Sequence, residues 1–301
     1  MKNAYILGFK AFLKLEKSLS ENTILAYIHD IEMLFQYLSQ QENISELESI
    51  DLKVLKRFIK YIHELGLNEK SQSRIISGIK AFFKYLIIED IIKINPTSLL
   101  ESPKSSRKLP DTLSVEEINL IINAIDLSTD EGTRNKAIIE TMYACGLRVS
   151  ELIELKISNL YEEEEYIRVI GKGNKERLIP ISKTALKYIK IYKEHVRNKI
   201  TPKSSFEDHL FLNRRGAKLS RVMIFYILKE LTLKANLKKN VHPHTLRHSF
   251  ATHLVEGGAN LRAVQEMLGH ESITTTEIYT HLDRNFLRET IHVFHPRYKN
   301  D

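Results

Sequence analysis

Apolar side chains recur every three or four residues through the first 95 positions, and this spacing predicts four helices. The second helix shows the clearest apolar stripe: Ile24, Tyr27, Ile28, Ile31, Leu34, Phe35 and Leu38. Capping side chains at 20–22 indicate its start. A fourth helix is predicted from about Glu69 to Ile88, with a buried face of Ile75, Ile79, Phe82, Phe83 and Leu86.

The helical pattern stops at 96–112, where Pro96, Pro103 and Pro110 stand among serines and basic residues. Proline lacks a backbone donor and disfavours helix in the residue before it, so this segment is predicted to be an extended interdomain linker. A second domain, 113–301, begins near Ser114, which with Glu117 three residues later has the spacing of a capping box. The first domain is then 1–95.

One part of the second domain is strand-like. Tyr166 to Ile170 and Arg177 to Ile181 flank a segment with glycines at 171 and 173. This arrangement predicts a β-hairpin with lysines at its tip. The predicted fold is therefore mainly α: a four-helix N-terminal domain, then a mostly α domain with a small β-hairpin or sheet.

Composition and charge narrow the class of protein. A chain of 301 residues suits two domains, and 43% hydrophobic residues exclude a disordered chain. The net charge is +7; residues 1–100 carry 13 Lys/Arg against 12 Asp/Glu, and the remainder carries 32 against 26. This basic excess is compatible with a nucleic-acid partner, and the second domain is where its site is expected first.

The sequence also indicates a compartment. A single cysteine, Cys145, excludes an intramolecular disulfide framework and is typical of a reducing compartment. Charged residues interrupt the apolar start of the chain, which therefore lacks the core of a signal peptide. No stretch approaches the ~20 apolar residues that a membrane span needs. We expect a cytoplasmic protein without a membrane partner.

A mixed basic and amide face on the fourth helix is one candidate DNA-binding surface, formed by Lys70, Gln72, Arg74, Lys80 and Lys84. Arg and Gln bond base edges, and Lys neutralises phosphate. The alternative is a solvated helix face, which such residues form more often. Lys175, near the hairpin tip, and Arg221 are further candidates for DNA contact.

Five short patches carry candidate chemistry, and each is weak alone. Arg148 and Glu151 lie three residues apart, so both are predicted on one helical face, where they are either a surface ion pair or an aimed phosphate clamp. Lys172 lies at the hairpin tip, between strands and without the spacing of a nucleotide-binding loop, which excludes ATP or GTP binding there.

His244 and Arg247 share a helical face, and His242, His248 and His253 lie close by in sequence, so a metal site is the rival interpretation. No Cys, Asp or Glu completes a ligand set, and Arg247 would repel a cation, so no metal is expected. His248 and His253 are expected to pack or cap.

The two remaining patches lie further along the chain. His270 follows a predicted helix, 261–268, that Gly269 ends. The alternative to a catalytic role is that its positive charge matches the negative C-terminal end of this helix. Tyr279 lies on a further predicted helix. The alternative to a catalytic role is that it is a partly buried packing residue, as most tyrosines are.

Together these residues supply what metal-free phosphoryl transfer to a protein nucleophile requires. Arg148, Arg247 and His270 would bind the non-bridging phosphate oxygens. Tyr279 would attack phosphorus to form a covalent ester, with His244 as its base, and Lys172 would protonate the departing oxygen. Because the ester keeps the energy of the broken bond, neither ATP nor any other cofactor is expected.

The segments ACGLRVSEL, GKGNKERLIP, HPHTLRHSFATHL, LGH and TTTEIYTHL, in this order, resemble the tyrosine recombinase (lambda-integrase-like) superfamily, and in particular the Xer-type site-specific recombinases. Each of the six catalytic positions holds the residue type usual for that family. The resemblance covers essentially the whole chain. It implies a SAM-like core-binding domain and a catalytic domain, which clamp duplex DNA, and a 3'-phosphotyrosyl intermediate.

The resemblance also implies roles and partners. Glu151 would support Arg148, and Lys172 would be the general acid with His244 assisting. Four protomers, identical or paired with a paralogue, would exchange strands through a Holliday junction, and residues 285–301 would dock on a neighbouring protomer. Xer proteins resolve chromosome dimers, usually under a septal DNA translocase. A mobile-element integrase or transposase, a type IB topoisomerase and a non-catalytic DNA binder remain as alternatives.

Overall fold

The structure is a computed structural model that describes residues 2–17, 19–42, 44, 46–101, 103, 112–171, 175–269 and 281–298. The chain divides into two compact units, Met1–Lys108 and Leu109–Asp301. Within the described ranges, none of the helices has both the length and the apolar character that crossing a membrane requires.

The first unit is helical. Its α-helices are α1 (Lys2–Leu15), α2 (Glu21–Gln41), α3 (Leu52–Glu64) and α4 (Glu69–Ile88), with a 3-10 turn at Leu47–Ser49. Side chains before three of them accept backbone N–H groups of the first turn: Ser20, which lies among the predicted capping residues, and Asp51 and Asn68. The predicted apolar faces of α2 and α4 form its core.

Residues assigned to the start of the linker belong to this first unit. Leu100 is 2% exposed and lies in its hydrophobic core, and Thr97 is buried as well. The proline and serine content of the segment obscured this, because burial of one leucine leaves no periodic pattern. The first unit therefore extends beyond residue 95.

The second unit holds the remaining elements. The helices are α5 (Val115–Asn123), α6 (Asp130–Cys145), α7 (Val149–Ile153), α8 (Lys183–His195), α9 (Arg221–Lys234), α10 (Pro243–Glu256), α11 (Leu261–Leu268) and α12 (His281–Phe294). The strands are β1 (Leu160–Tyr161), β2 (Tyr166–Ile170) and β3 (Glu176–Pro180), with 3-10 turns at Ile157–Asn159 and Arg197–Lys199. The predicted capping box of Ser114 and Glu117 starts α5. The prediction of a mainly α fold is confirmed.

The strands form an antiparallel sheet in the order β1-β2-β3. The predicted hairpin is β2 and β3, paired from Tyr166 with Pro180 to Ile170 with Glu176. Strand β1 was not predicted, since two residues are too few to show an alternating pattern. Helix α6 is the centre of the second unit: from Ala137 to Cys145 it is buried all round, packed against α8 and α10.

The C-terminal segment packs on its own unit. Helix α12 lies against β3, α10 and α11, and Leu287 and Ile291 are almost completely buried there. The Tyr298 hydroxyl donates to the Pro180 carbonyl over 2.9 Å. Docking of 285–301 on a neighbouring protomer was expected; in this chain the apolar face of the segment is already covered by β3, α10 and α11.

Candidate active site

The turn after α6 positions Arg148. Gly146 ends α6 in the left-handed conformation, with a φ of 58°, and Arg148 becomes the N-cap residue of α7. The Glu151 carboxylate accepts the Arg148 backbone N–H at 2.8 Å and its Nη1 at 2.8 Å. Arg148 and Glu151 were predicted on one helical face. Instead, Arg148 precedes α7, and Glu151 in the first turn of α7 accepts the Arg148 backbone N–H.

Arg247 reaches the same place from α10. Only 8% of the residue is exposed. Its Nη1 donates to the Gly146 carbonyl at 2.7 Å, and its Nη2 donates to the Leu268 carbonyl at the end of α11. Its Nη1 also lies 3.8 Å from Glu151 Oε2. Two predicted site arginines, 99 positions apart in the sequence, thus meet one carboxylate.

A third arginine, Arg177 on β3, completes this cluster and was not among the predicted site residues. Its Nη1 and Nη2 each donate to one oxygen of Glu151, both at 2.8 Å, and its Nε donates to the Met267 carbonyl at 2.9 Å. A sequence signal existed: side chains alternate along a strand, so Arg177 shares the buried face of Ile179. A charge on such a face needs a partner.

The cluster carries surplus positive charge. Three guanidinium groups surround one carboxylate, which leaves a formal surplus of two. Burial by itself raises the pKa of the Glu151 carboxyl, but the hydrogen bonds and charges of Arg177 and Arg148 outweigh it and lower the pKa. Burial, together with repulsion from Arg148 and Arg177, lowers the pKa of Arg247 to about 9. A bound phosphate anion would stabilise the charged forms of Arg148 and Arg247.

The other predicted catalytic residues divide into two groups. His244 is exposed, and with Arg247 it lines a cleft between α10 and α11. Lys172, His270 and Tyr279 lie outside the described residues.

Two glycines next in sequence to Lys172 and His270 are described. A Cβ built on Gly171 or Gly269 would lie 3.2 Å from Nη1 of Arg177. The backbone leading into both positions therefore runs past the cluster.

The neighbouring histidines of α10 have different surroundings. His253 is buried, and its Nδ1 is hydrogen-bonded to the Tyr143 hydroxyl at 2.8 Å, which is the packing role predicted for it. His242 caps the start of α10 by accepting the Thr245 N–H. His248 is exposed, so the packing or capping role predicted for it is wrong.

The candidate DNA-binding residues differ in their exposure and in their hydrogen-bond partners. Gln72 is buried and donates to the Leu67 carbonyl at 2.6 Å, so its prediction on an exposed face is wrong. Its position on α4 turns it toward the preceding loop. Arg74 is bonded through Nη1 to both oxygens of the fully buried Asp30. Four others present an ammonium or guanidinium at exposed positions: Lys70, Lys84, Lys175 and Arg221. Lys80 is half-buried.

A helical N-terminal unit and a mostly α second unit with an arginine cluster beside a β-hairpin are the parts that the resemblance implies. The model of the phage integrase family matches residues 111–285, and that of the phage integrase N-terminal SAM-like domain matches residues 6–90. The chain therefore belongs to the phage integrase family, the tyrosine recombinases, which cleave and rejoin DNA.

Individual relatives agree with this. The chain is 41% identical over 295 residues to the tyrosine recombinase XerD of Staphylococcus epidermidis, covering 98% of this chain and 99% of the relative. A structure of XerH recombinase bound to a palindromic difH substrate matches with a TM-score of 0.72 and 24% identity, over 96% and 95% of the two chains. A lambda integrase tetramer bound to a Holliday junction matches with a TM-score of 0.69 and 19% identity, over 92% and 80%.

Proposed function

We propose that this chain is a site-specific DNA recombinase that cuts and rejoins duplex DNA through a 3'-phosphotyrosyl link to Tyr279. The observation that carries the proposal is the meeting of Arg148, Arg177 and Arg247 at the buried carboxylate of Glu151. Preorganised, partly buried cations are what stabilise the charge that develops on a phosphate under attack.

The reaction needs only groups of this chain and the DNA. The Tyr279 oxygen attacks phosphorus, its phenolic proton passes to His244 or to water, and the bond to the 5' oxygen breaks. Lys172 protonates that departing oxygen, while Arg148, Arg247 and His270 bind the non-bridging oxygens. In the second half, a 5' hydroxyl from the partner strand attacks the phosphotyrosyl ester and releases Tyr279. One phosphodiester is consumed and one is formed, so no cofactor is required.

The substrate we propose is a recombination site in the terminus region of a circular chromosome, where exchange resolves chromosome dimers. Similarity to a XerD protein along nearly the whole chain favours this over a mobile-element integrase or a type IB topoisomerase. Four protomers, of this chain alone or with a paralogue, would assemble on two sites and pass through a Holliday junction. A chromosomal substrate puts the reaction in the cytoplasm, with a septal DNA translocase as the activating partner.

Covalent trapping tests this function. We expect the full chain to form a protein–DNA adduct on a nicked suicide duplex carrying the host terminus-region site, because the nick lets the 5' fragment diffuse away before rejoining. Tyr279→Phe should abolish the adduct and keep site affinity within about two-fold, since one hydroxyl is a small part of the contact surface. The matched control is Tyr161→Phe, an exposed tyrosine on β1, which should trap as wild type does.

Two results would contradict the proposal. One is an adduct that survives Tyr279→Phe, which would assign the nucleophile elsewhere. The other is efficient relaxation of a one-site plasmid with no exchange between two sites, which would indicate a topoisomerase.

A further inference from the structure

Arg177 is the one cluster arginine that no step of the proposed reaction uses, and it makes both hydrogen bonds of a two-pronged contact with Glu151. Its three donor nitrogens all engage partners: Nη1 and Nη2 on Glu151, and Nε on the Met267 carbonyl. These partners lie 26 and 90 positions from it along the chain. The side chain is 6% exposed, so it faces the protein and not the substrate.

We propose that Arg177 is a positioning residue that aligns the two catalytic arginines, Arg148 and Arg247, through Glu151. It holds Glu151, which orients Arg148 and Arg247, and it lies under the backbone that leads into Lys172 and His270. This inference rests on the proposed recombinase function and names a residue on which that function depends.

The contact with Glu151 is a two-pronged ion pair. Both guanidinium Nη atoms meet both carboxylate oxygens at 2.8 Å, the geometry that gives the strongest and most directional pairing. Glu151 Oε1, which accepts Arg177 Nη1, also accepts Arg148 Nη1 at 2.8 Å. Because Arg177 already neutralises the carboxylate, the charges of Arg148 and Arg247 remain available to a phosphate.

The second contact concerns the two glycine turns. Gly171 closes the base of the hairpin tip by donating its N–H to the Lys175 carbonyl at 2.8 Å, and Lys172 follows it. Gly269 ends α11, and His270 follows it. A Cβ on either glycine would lie 3.2 Å from Arg177 Nη1, so the guanidinium is the surface against which both turns rest.

Lysine cannot replace this arrangement. The planar guanidinium spans Glu151 and Met267 with donors in fixed directions, whereas an ammonium is a single nitrogen. A lysine at 177 would therefore keep the positive charge beside Glu151 but lose the geometry, which allows the two contributions to be separated.

The experiment compares three variants of the full chain: Arg177→Met, Arg177→Lys and, as matched control, Arg168→Met. Arg168 lies on the adjacent strand β2 and bonds to Asn159 instead of Glu151. Single-turnover cleavage of the nicked suicide duplex and equilibrium binding of the same intact duplex are measured near pH 8. Both Arg177 variants should cleave about 10- to 100-fold more slowly. This is the loss that follows removal of a residue that orients a metal ligand in a metalloenzyme. Binding should change by less than about three-fold, and Arg168→Met should cleave as wild type does.

The pH profile separates positioning from general damage to the fold. Glu151 faces Arg148 from the turn before α7, Arg177 from β3 and Arg247 from α10. In Arg177→Met it loses its strongest partner, so its pKa rises and it protonates at a higher pH than in wild type. The ratio of wild-type to Arg177→Met cleavage rates should grow from pH 8 to pH 5, whereas for Arg177→Lys, which keeps the charge, it should stay nearly constant.

Each outcome decides between the hypotheses. If wild type forms no Tyr279-dependent adduct, the proposed function fails. If wild type forms it and both Arg177 variants cleave at the wild-type rate, the function stands and the positioning role is wrong. Full rescue by lysine would show that charge alone is needed and would also overturn the role of the fork. If Arg177→Met does not fold, Arg177→Lys with its rate at pH 8 still decides.

Discussion

His295 shows at the scale of one residue how burial sets the charge of a side chain. It is fully buried among the rings of Tyr143, Phe250 and Tyr298, and its Nδ1 accepts the Arg297 N–H. Burial first, then repulsion from His253 and Arg297, lowers the pKa of His295 from 6.5 to about 3. The imidazole is therefore neutral in the folded chain near neutral pH.

This burial predicts a pH-dependent stability. The unfolded chain takes up a proton at 295 below about pH 6.5, and the folded chain does not until about pH 3. The contribution is therefore complete above pH 6.5 and lost as the pH falls through that interval. Between pH 7.5 and 5.5 the loss from this one group should be about 1.4 kcal/mol in the free energy of unfolding. Urea unfolding of the second unit, followed by circular dichroism, measures it.

The control is His295→Gln, which does not titrate. Its unfolding free energy should fall by correspondingly less over the same pH interval, even if it is lower at both pH values. His253, whose pKa burial also lowers, remains in both proteins and cancels from the comparison. An equal pH dependence in the two proteins would show that His295 is protonated in the folded state.

Charge partners that are distant in sequence decide the roles of other residues. Arg74 was a candidate DNA contact because of its place on the basic and amide face of α4; its guanidinium pairs with Asp30, whose carboxyl is buried. Burial raises the pKa of Asp30 despite that pairing. Glu151 and Arg148 were singled out from residue type and spacing, whereas Arg177 was not, because its carboxylate partner lies 26 positions away.

At the scale of elements, the end of α6 positions two arginines, Arg148 and Arg247. Gly146 adopts a φ of 58°, and its carbonyl accepts Arg247 Nη1, while Arg148 follows two residues later. The ring of Phe250 on α10 packs directly against the position where a side chain would stand: a Cβ on Gly146 would lie 2.4 Å from Phe250 Cδ1. The loop conformation and the α6–α10 packing are thus coupled at one residue.

We expect Gly146→Ala to lower both stability and cleavage. The left-handed conformation costs an L-residue about 1–2 kcal/mol, and the overlap with Phe250 adds to it. The matched control is Gly66→Ala, which has a φ of 75° but nothing within 4 Å of the new Cβ. Urea unfolding should show a larger loss for Gly146→Ala, and single-turnover cleavage should fall only in that variant. Equal losses of stability would mean that the Phe250 contact relaxes freely.

Elements were predicted well wherever a local pattern repeats. The four helices of the first unit, the capping box at Ser114 and the hairpin of β2 and β3 follow from periodicity and capping residues. Strand β1 was missed because two residues do not make a period, and the helix start at Arg148 was misplaced because a glycine turn separates α6 from α7. These are failures of short segments, where packing outweighs propensity.

At the scale of the whole second unit, the C-terminal segment closes the core over β3, α10 and α11. Ile291 is fully buried there, and Arg297 Nε lies 3.1 Å from Glu140 Oε2 on α6. The family resemblance implies that this segment docks on a neighbouring protomer. To dock on a neighbour, the segment would first have to leave these contacts.

Ile291→Ala tests whether these contacts exist in the isolated chain. Removing a fully buried isoleucine side chain should lower the free energy of unfolding of the monomer by about 2–5 kcal/mol. Val293→Ala on the same helix, at a position that is 57% exposed, should change it by less than about 0.5 kcal/mol. Urea unfolding at a concentration where the chain is monomeric measures both. Equal, small effects would indicate that the segment is undocked until a neighbour is present.

The sequence by itself determined the helices, the hairpin, the family and the candidate chemistry of Arg148, Glu151, His244 and Arg247, because periodicity, caps and residue type are local properties. Only the tertiary structure decided that Gln72 is buried, that the C-terminal helix covers its own unit, and that Arg177 bonds to both the Glu151 carboxylate and the Met267 carbonyl. The physical reason is that a buried charge takes its role from its partners, and those partners are brought together only by packing of the whole unit.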